Sequence, residues 1–299
     1  MYSFSVQFRK SETFAFANGY VFSLEADIYR NDGSILFADK TELKTTNGQT
    51  TTVVASGFVY IAGFKQINSS HVVVTDCNNH CKEMVSREDN SNNVLAGTCG
   101  TNEFGDGTSA KFNCPWSIEP DNKNPGHLLI TDHSNNALRS VDVTSGAVST
   151  VIKTGFNFPR GLTWYDGHLL VCNNHYISEV SWSTNGPVSN NKLTTTTDGG
   201  YRDGDFTTAQ FNNPHEIKQV RNGFFLVADS NNIRLRLLNM STRKVLPVCI
   251  GSSAPCTTGT TLSHYPVSIL ISDEEVYVGE PNKIHKLTGK FVNTFSCRT

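Results

Sequence analysis

The side chains with the clearest chemical potential in this sequence are the acids and amides that close a recurring apolar phrase. In each copy, apolar residues and one variable residue precede the acid, as in Leu129-Ile130-Thr131-Asp132. Six residues close such a phrase: Asp39, Asp76, Asp132, Asn173, Asp229 and Glu280. Their oxygens could ligate calcium, which takes six to eight oxygen ligands, but these residue types also form tight turns with their own backbone. Because the phrase recurs along the chain, we interpret them as turn formers rather than catalysts.

The eight cysteines are a second group that could carry chemistry. An even number of cysteines is typical of the disulfide framework of a secreted domain. The segment Cys77-Asn78-Asn79-His80-Cys81 comes closest to the spacing of a metal site, but no second pair of matching spacing accompanies it. Disulfides are therefore favoured over a metal, with Cys77 and Cys81 among the bonded residues. Once the other six cysteines are paired, Cys172 and Cys297 remain. They either bond to each other, stay free or bond to a segment outside this sequence.

Two further cysteine pairs bracket equivalent connections between repeats. Cys99 and Cys114 flank the connection that contains Gly105-Asp106-Gly107, and Cys249 and Cys256 flank the corresponding connection two repeats later. A bridge that closes such a loop stabilises a fold by roughly 2–4 kcal/mol, because it lowers the entropy of the unfolded chain. We therefore predict local disulfides between the two cysteines of each pair.

Glycosylation motifs also fit an oxidising, extracellular compartment. Two N-x-[ST] sequons, at Asn68 and Asn239, lie where turns between strands are expected, and we predict glycans there. The N-terminal Met1-Tyr2-Ser3-Phe4 lacks the apolar core of a signal peptide. We therefore expect a secreted protein whose signal has been removed, or an extracellular segment of a larger cell-surface protein.

Charge and hydropathy argue against a nucleic-acid partner and against a membrane span. The formal net charge is −2 and no cluster of Lys and Arg occurs, which argues against a nucleic-acid surface. The longest apolar stretch, Val53–Phe64, is interrupted by Ser and Gly and is too short to span a bilayer. We therefore expect neither nucleic-acid binding nor a membrane span in this segment.

The residues between the recurring acids predict short strands joined by turns. An Asn-rich turn follows three copies of the phrase, as in Asp229-Ser230-Asn231-Asn232, and an alternating segment such as Ala137–Val143 comes next. Alternation of apolar and polar residues is the mark of a half-buried strand. Two glycine-rich connections, Gly105–Pro115 and Asp203–Pro214, end in the same pattern, Ala-x-Phe-x-x-Pro. Such a unit, repeated roughly every 40–50 residues, is typical of a propeller or solenoid.

The order of these features resembles the NHL repeat. Asn212–Arg236 is the cleanest copy, and the resemblance covers roughly residues 20 to 299. The last copy departs from the pattern, with Glu280-Pro281 where Asp-x-Asn is expected. NHL repeats fold as four-stranded blades, so six copies imply an all-β, six-bladed β-propeller. We expect one such domain over residues 1–299.

The two ends of the chain suggest how the ring closes. After Glu280, the remaining residues have room for two strands, at 283–287 and 290–295. The N-terminal stretch, Phe4–Phe8 or Thr13–Phe16, has no repeat of its own. We therefore predict that an N-terminal strand supplies the outer strand of the last blade, which closes the ring and hides sheet edges.

The resemblance also implies where a ligand would be contacted. In NHL propellers the innermost strand begins after the proline of the motif, so the residues that follow it line one mouth of the central channel. Here we predict Trp116, Arg160, His215 and Glu216 as mouth residues. An arginine near an acid and an aromatic ring could anchor a polar or anionic group. Arg160, His215 and Glu216 also break the repeat symmetry, which makes them the best candidates.

The sequence favours binding over catalysis. Neither Gly-x-Ser-x-Gly nor His-Glu-x-x-His occurs. One NHL relative, the peptidylamidoglycolate lyase, holds zinc with several histidines at the mouth, whereas catalytic zinc needs about three ligands and this chain offers His215 alone. We predict a non-enzymatic module for an extracellular protein, peptide or glycan, using the mouth and the loops 121–126, 183–198 and 252–263. The alternative is a metal-dependent lyase or hydrolase with its site in the channel. No cofactor is predicted, and a structural calcium or a channel metal is the alternative.

Overall fold

The computed structural model describes residues 2–26, 30, 32–183, 186–251, 260–272 and 275–295. The described chain is almost entirely β-structure, with two short 3-10 helices, His133–Asn135 and Ser230–Asn232. The strands form six four-stranded antiparallel blades arranged as a six-bladed β-propeller. The fold class implied by the repeats is thereby confirmed.

Blades 1 to 3 follow one another along the chain. Blade 1 contains the last part of strand Tyr2–Ala26, then Ile35–Asp39, Glu42–Thr46 and Thr51–Ser56. Blade 2 contains Ile61–Gln66, His71–Asp76, Cys81–Ser86 and Asn92–Ala96. Blade 3 contains Pro115–Pro120, His127–Asp132, Ala137–Asp142 and Val148–Ile152. In each blade the first strand is the innermost.

Blades 4 to 6 complete the ring. Blade 4 contains Leu162–Tyr165, His168–Cys172, Ile177–Ser183 and Gly186–Lys192. Blade 5 contains Pro214–Arg221, Phe224–Asp229, Arg234–Asn239 and Lys244–Ile250, with the short strand Gly204–Asp205 beside it. Blade 6 contains Ser268–Ser272, both arms of Glu275–Phe295 and the first part of Tyr2–Ala26.

The ring closes through the first strand of the chain, as predicted. Tyr2–Ala26 pairs antiparallel with Glu275–Phe295, from the Tyr2–Phe295 pair to the Ala15–Lys283 pair. The same strand then continues into blade 1, where Leu24 pairs with Phe37. Both N-terminal stretches proposed from the sequence lie in this strand. Because one continuous strand belongs to the last blade and the first, the ends of the ring are joined by backbone hydrogen bonds.

The core lies between the faces of neighbouring blades. The second strand of each blade is buried along its apolar phrase, as in Val72, Val73 and Val74 of blade 2. One representative cluster joins blades 1 and 2 and contains Leu36, Phe64 and Val74. A continuous apolar run suits these strands because both of their faces contact a neighbouring blade.

The recurring acids hold the turns together, which confirms their interpretation as structural residues. Asp132 Oδ1 accepts a hydrogen bond from Asn113 N at 2.8 Å, and Oδ2 pairs with Arg139 Nη1 at 2.7 Å. Asp229 repeats the arrangement with Asn212 N and Arg236 Nη1, at 2.8 and 2.7 Å. The arginines are fully buried, so each ion pair depends on these hydrogen bonds to offset the loss of water.

The predicted pairing of Cys99 with Cys114 is wrong. The structure pairs Cys77 with Cys114 and Cys81 with Cys99. The connection to blade 3 runs beside the Asn-rich turn of blade 2, where Gly100 N donates to Asn79 O at 2.8 Å. The bonds therefore form between the two segments and not within either one.

The remaining cysteines are described only in part. Cys172 is buried and free. Cys249 is disulfide-bonded, but Cys256 and Cys297 lie outside the described residues. The predicted Cys249–Cys256 bridge therefore remains a prediction of the sequence. The pairing of Cys172 with Cys297 is wrong, because the Cys172 thiol is free, which was the alternative left open by the sequence.

Candidate ligand site at the channel mouth

The start of each inner strand sets the position of the mouth residues. In four blades one residue of this strand faces the recurring acid, as Pro115 faces Asp132 and Pro214 faces Asp229. One position further along, the six blades carry Phe22, Ala62, Trp116, Arg160, His215 and Val267. Only one side chain per blade occupies this level, so differences among the six decide what the mouth can bind.

Three of the four predicted mouth residues come together. The ring of Trp116 meets the edge of His215 at a centroid distance of 5.6 Å, and the Arg160 guanidinium carbon lies 5.4 Å from the Trp116 centroid. The fourth, Glu216, belongs to the next level of the channel, where Lys218 is its charged neighbour at 3.8 Å. The prediction of one shared ring therefore holds for Trp116, Arg160 and His215 but is wrong for Glu216.

Four aromatic residues that the sequence did not single out extend this group. His133 stacks on Trp116 at 5.0 Å, and Phe158 packs against His133 at 5.2 Å. On the other side, Tyr60 lies 6.3 Å from Trp116 and 4.7 Å from Phe22, measured between ring centroids. We call these seven residues the mouth cluster: Phe22, Tyr60, Trp116, His133, Phe158, Arg160 and His215. Phe22 follows Val21, which faces Asp39, just as Trp116 follows Pro115, which faces Asp132.

A cavity of about 340 Å³ opens beside the mouth cluster. Its lining residues come from blades 1, 2, 5 and 6: Phe22, Lys40, Tyr60, His215, Ser230, Asn231, Tyr265, Val267 and Pro281. Tyr265 at its rim is 50% exposed, and Phe158 of the mouth cluster is 41% exposed. Among the described lining residues there is no acid. The cavity thus combines aromatic walls with the cation Lys40.

Arg160 carries the charge of the mouth cluster. Burial lowers its pKa to about 10, so the guanidinium is still protonated at neutral pH. Burial, with the Arg160 charge as a smaller cause, lowers the pKa of His133 to about 3 and that of His215 well below its ordinary value. Both imidazoles are therefore neutral at physiological pH, and the Asn213 amide donates to His215 Nε2 at 3.2 Å.

Glu216 occupies a level of the channel where space is otherwise reserved for small residues. The other five blades carry Ser23, Gly63, Ser117, Gly161 and Ser268 at this position. The reason is close approach between blades, since a Cβ on Gly161 would lie 2.6 Å from His215 O. The carboxylate of Glu216 extends into the channel, where burial raises its pKa.

A chain of alternating charges lies two residues further along the inner strands. Four residues form it, which we call the channel charge chain: Glu25, Lys65, Glu119 and Lys218. Lys65 Nζ lies 2.7 Å from Glu25 and 3.6 Å from Glu119, and Lys218 Nζ lies 2.8 Å from Glu119. The sequence held a signal for this chain, because each member lies four residues after the residue that faces the recurring acid of its blade.

The channel charge chain stabilises its own ionisation. Burial alone would raise the pKa of Glu119, but Lys218 and Lys65 outweigh it and the pKa is lowered. Burial alone would lower the pKa of Lys218, but Glu119 and Glu216 outweigh it and the pKa is raised. The ion pairs thus hold the inner strands together inside the channel, beside a cavity of about 240 Å³ that the same four residues help to line.

Two of the three loops predicted to bind a partner meet on the outside of the propeller. Asp121, Lys123 and Asn124 of the first loop, with Ser183 and Gly186 of the second, line a groove of about 900 Å³ between blades 3 and 4. Part of the second loop, Gly186–Lys192, is a strand and not a loop. The third, 252–263, lies largely outside the described residues.

Two other predicted features can be located. Asn68 is exposed, whereas Asn239 is 5% exposed and accepts a hydrogen bond from Thr242 N. That burial leaves no room for a glycan on Asn239, so only Asn68 remains a predicted glycosylation site.

Within the described ranges, no three His, Cys, Asp or Glu side chains converge as metal ligands. No helix in the same ranges is long and apolar enough to cross a bilayer.

Comparisons with known proteins show the fold. No protein-family model matches the sequence, and neither does any curated protein. The chain is similar to an auxiliary nutrient binding protein from Bacteroides thetaiotaomicron, with a TM-score of 0.72 and 13% identity over 91% of this chain and 69% of that one. It is also similar to a gluconolactonase from Xanthomonas campestris, with a TM-score of 0.69 and 9% identity over 95% of both chains.

A third similar structure is virginiamycin B lyase from Staphylococcus aureus. Its TM-score is 0.59 at 14% identity, over 96% of this chain and 99% of the lyase. Identities this low establish the propeller architecture alone, because binding proteins and enzymes share it.

Proposed function

We propose that this chain is an extracellular, non-enzymatic binding module, a single NHL-type propeller domain that receives a ligand at its channel mouth. The cavity of about 340 Å³ beside the mouth cluster carries the proposal. Its volume falls within the range of roughly 300–1,000 Å³ that is usual for ligand pockets. The blade-edge groove of about 900 Å³ is the second surface through which a protein, peptide or glycan could be engaged.

The aromatic walls give the cavity its binding capacity. Phe22, Tyr60 and Tyr265 line it, and Tyr265 keeps half of its surface exposed. Large aromatic side chains contribute much of the energy at binding sites because they bury a wide apolar area with few rotatable bonds. Scattered exposed rings are ordinary, but several rings around one concave opening mark an interaction site.

The compartment and the comparisons agree with this role. The bonds Cys77–Cys114 and Cys81–Cys99 fit an oxidising environment. One of the similar structures is described as a nutrient binding protein, which supports a binding role. The enzymatic alternative has support from the similar gluconolactonase and lyase, but the described channel brings together Glu–Lys pairs in place of a set of metal ligands.

Tryptophan fluorescence offers a direct test of the mouth. The chain has three tryptophans, and Trp164 and Trp182 pack together at 5.2 Å in blade 4, away from the mouth cluster. In the variant W164F/W182F, Trp116 is the single reporter. We expect a saturable change in its emission when a panel of defined small acids, amines, peptides and oligosaccharides is titrated.

The matched control is W116F, which keeps the distant pair and loses the reporter. The proposal predicts that W116F gives no emission change with the compound that W164F/W182F detects. A response retained in W116F would place binding at the groove near Trp182. A panel that produces no response in either variant, together with stoichiometric metal and lactone hydrolysis by the purified protein, would favour the enzymatic alternative.

A further inference from the structure

We infer that the mouth selects small acids, in which a carboxylate binds the Arg160 guanidinium and an apolar body of about the size of one aromatic ring fills the adjoining cavity. The inference rests on the proposed function, because it assigns the ligand class of the same mouth. Three observations support it: the state of Arg160, the charge of its surroundings and the shape of the cavity.

Arg160 lacks the carboxylate partners that the fully buried Arg139 and Arg236 have. Arg139 pairs with Asp106 and Asp132, and Arg236 pairs with Asp203 and Asp229. Among the described residues, no acid forms a salt bridge with Arg160. Its Nη1 reaches only Phe158 O, at 3.5 Å, and its buried Nε has no hydrogen-bond partner. Because a partly buried guanidinium without an anion is costly, this position is suited to an anion supplied from outside.

The surroundings of Arg160 also favour an anion. Lys40 places a cation in the lining of the adjoining cavity, and no acid is among the described lining residues. His133 is buried and neutral, and its Nε2 has no hydrogen-bond partner. His133 Nδ1 lies 3.2 Å from the Ser134 hydroxyl oxygen. In the tautomer whose Nδ1 accepts from that hydroxyl, Nε2 carries the proton and can donate it to a carboxylate oxygen. The site thus offers positive potential and a hydrogen-bond donor, beside a cavity whose described lining contains no acid.

The cavity explains why the anion must have an apolar body. Phe22, Tyr60, Val267 and Pro281 contribute apolar surface beside His215, whose ring contacts the Trp116 ring over which Arg160 lies. Inorganic phosphate would satisfy the charge but leave these walls in contact with water. A ligand that also covers the rings gains the hydrophobic contribution of roughly 25 cal/mol for each Å² buried. An amphipathic acid therefore matches both halves of the site.

The test compares 3-phenylpropanoate with its neutral amide, 3-phenylpropanamide, by isothermal titration and by Trp116 emission in W164F/W182F. The two probes have the same apolar body and differ in charge. We expect the acid to bind at least tenfold more tightly than the amide, because a charge-assisted bidentate bond replaces a neutral one. Inorganic phosphate at the same concentration should compete weakly.

Variants of Arg160 connect the preference to this residue. R160Q should lower the affinity of the protein for the acid to its affinity for the amide. R160K should keep part of the preference for the acid because the charge is retained. R221Q is the matched control, since Arg221 also lies on an aromatic ring, Phe224, but at the far end of its strand. It should bind as the wild type does. Circular dichroism and the melting temperature establish that each variant is folded.

The source of the carboxylate is distinguished with N-acetyl-Gly-Gly-Phe and its C-terminal amide. Preferential binding of this peptide acid would identify a peptide chain end as the ligand, and binding of 3-phenylpropanoate alone would identify a free acid. Equal affinity of acid and amide, or a preference that persists in R160Q, overturns the inference while the proposed function stands. Absence of binding by every acid overturns it as well, and the proposed function falls only if the wider panel also fails.

Discussion

Lys218 Nζ lies 2.8 Å from Glu119 Oε1, and this ion pair joins the inner strands of blades 5 and 3 across the channel. The two blades are not neighbours in the ring, since blade 4 lies between them. Glu119 also reaches Lys65 of blade 2, at 3.6 Å, and Lys65 reaches Glu25 of blade 1. The channel charge chain therefore links four blades through their innermost strands, independently of the apolar contacts between blade faces.

Removal of one cation from this chain should destabilise the propeller. In K218M, Glu119 loses its closer partner, and we expect the free energy of unfolding to fall by about 2–4 kcal/mol. The value is slightly below the roughly 3–5 kcal/mol typical of an orphaned buried charge, because the side chains of Lys218 and Glu119 are 24% and 12% exposed. Guanidinium unfolding followed by circular dichroism measures it. The double variant E119Q/K218M should recover most of the loss, and a K218M variant as stable as the wild type would show that the pair contributes nothing.

Two acids of the channel should change stability with pH in opposite directions. The pKa of Glu119 is lowered below 4.5 in the folded state, so its contribution is present above that pH and is lost as the pH falls. The pKa of Glu216 is raised above 4.5 by burial, so its contribution is present below that pH and is lost as the pH rises. We therefore expect E119Q to melt below the wild type at pH 7 and to approach it near pH 3.5.

E216Q should show the reverse trend. Its melting temperature should rise relative to that of the wild type as the pH rises from 4 to 7. The measurement is the melting temperature of the three proteins in buffers between pH 3.5 and 7. Parallel melting curves for E216Q and the wild type across this range would contradict the raised pKa of Glu216.

The two bridges of blade 2 should be separable by mapping and by mutation. Non-reducing peptide mapping is expected to yield the Cys77–Cys114 and Cys81–Cys99 peptides, which close loops of 37 and 18 residues. The double variant C77S/C114S should lose about 3–4 kcal/mol of stability, according to the entropy of a loop of that length. A disulfide-linked Cys99–Cys114 peptide would contradict the pairing in the structure and support the pairing expected from the sequence.

Gly161 should not tolerate even a methyl group. A Cβ there would lie 2.6 Å from His215 O and 2.7 Å from Glu216 Cα, so blades 4 and 5 would have to move apart. We expect G161A to lose about 1–3 kcal/mol, the usual cost of overpacking. G105A is the control, because the nearest atom to its Cβ is Lys111 N at 3.7 Å, and its stability should change by less than about 0.5 kcal/mol. Unfolding curves of G161A and G105A that coincide would disprove the close approach.

The sequence by itself determined the architecture. An apolar phrase closed by an acid predicts a buried second strand followed by a turn. The structure has Leu129 and Ile130 buried beside Asp132, whose carboxylate accepts a hydrogen bond from Asn135 of the turn. These interactions are local, so the order of residue types along the chain is enough to predict them. Ring closure by the N-terminal strand was predictable too, because the chain has one strand too many at its beginning and one too few at its end.

Only the tertiary structure decided which distant residues share a site. Cys81 bonds to Cys99 and not to its neighbour in the turn, because the connection to blade 3 runs beside that turn. Glu119 and Lys218 are far apart in sequence, as are Arg160 and Phe22, and spacing along the chain carries no information about distances across a closed ring. The circular order of the blades and the close approach at Gly161 set these distances. For that reason the repeats predicted a mouth, whereas its aromatic cavity and its unpaired arginine emerged from the fold.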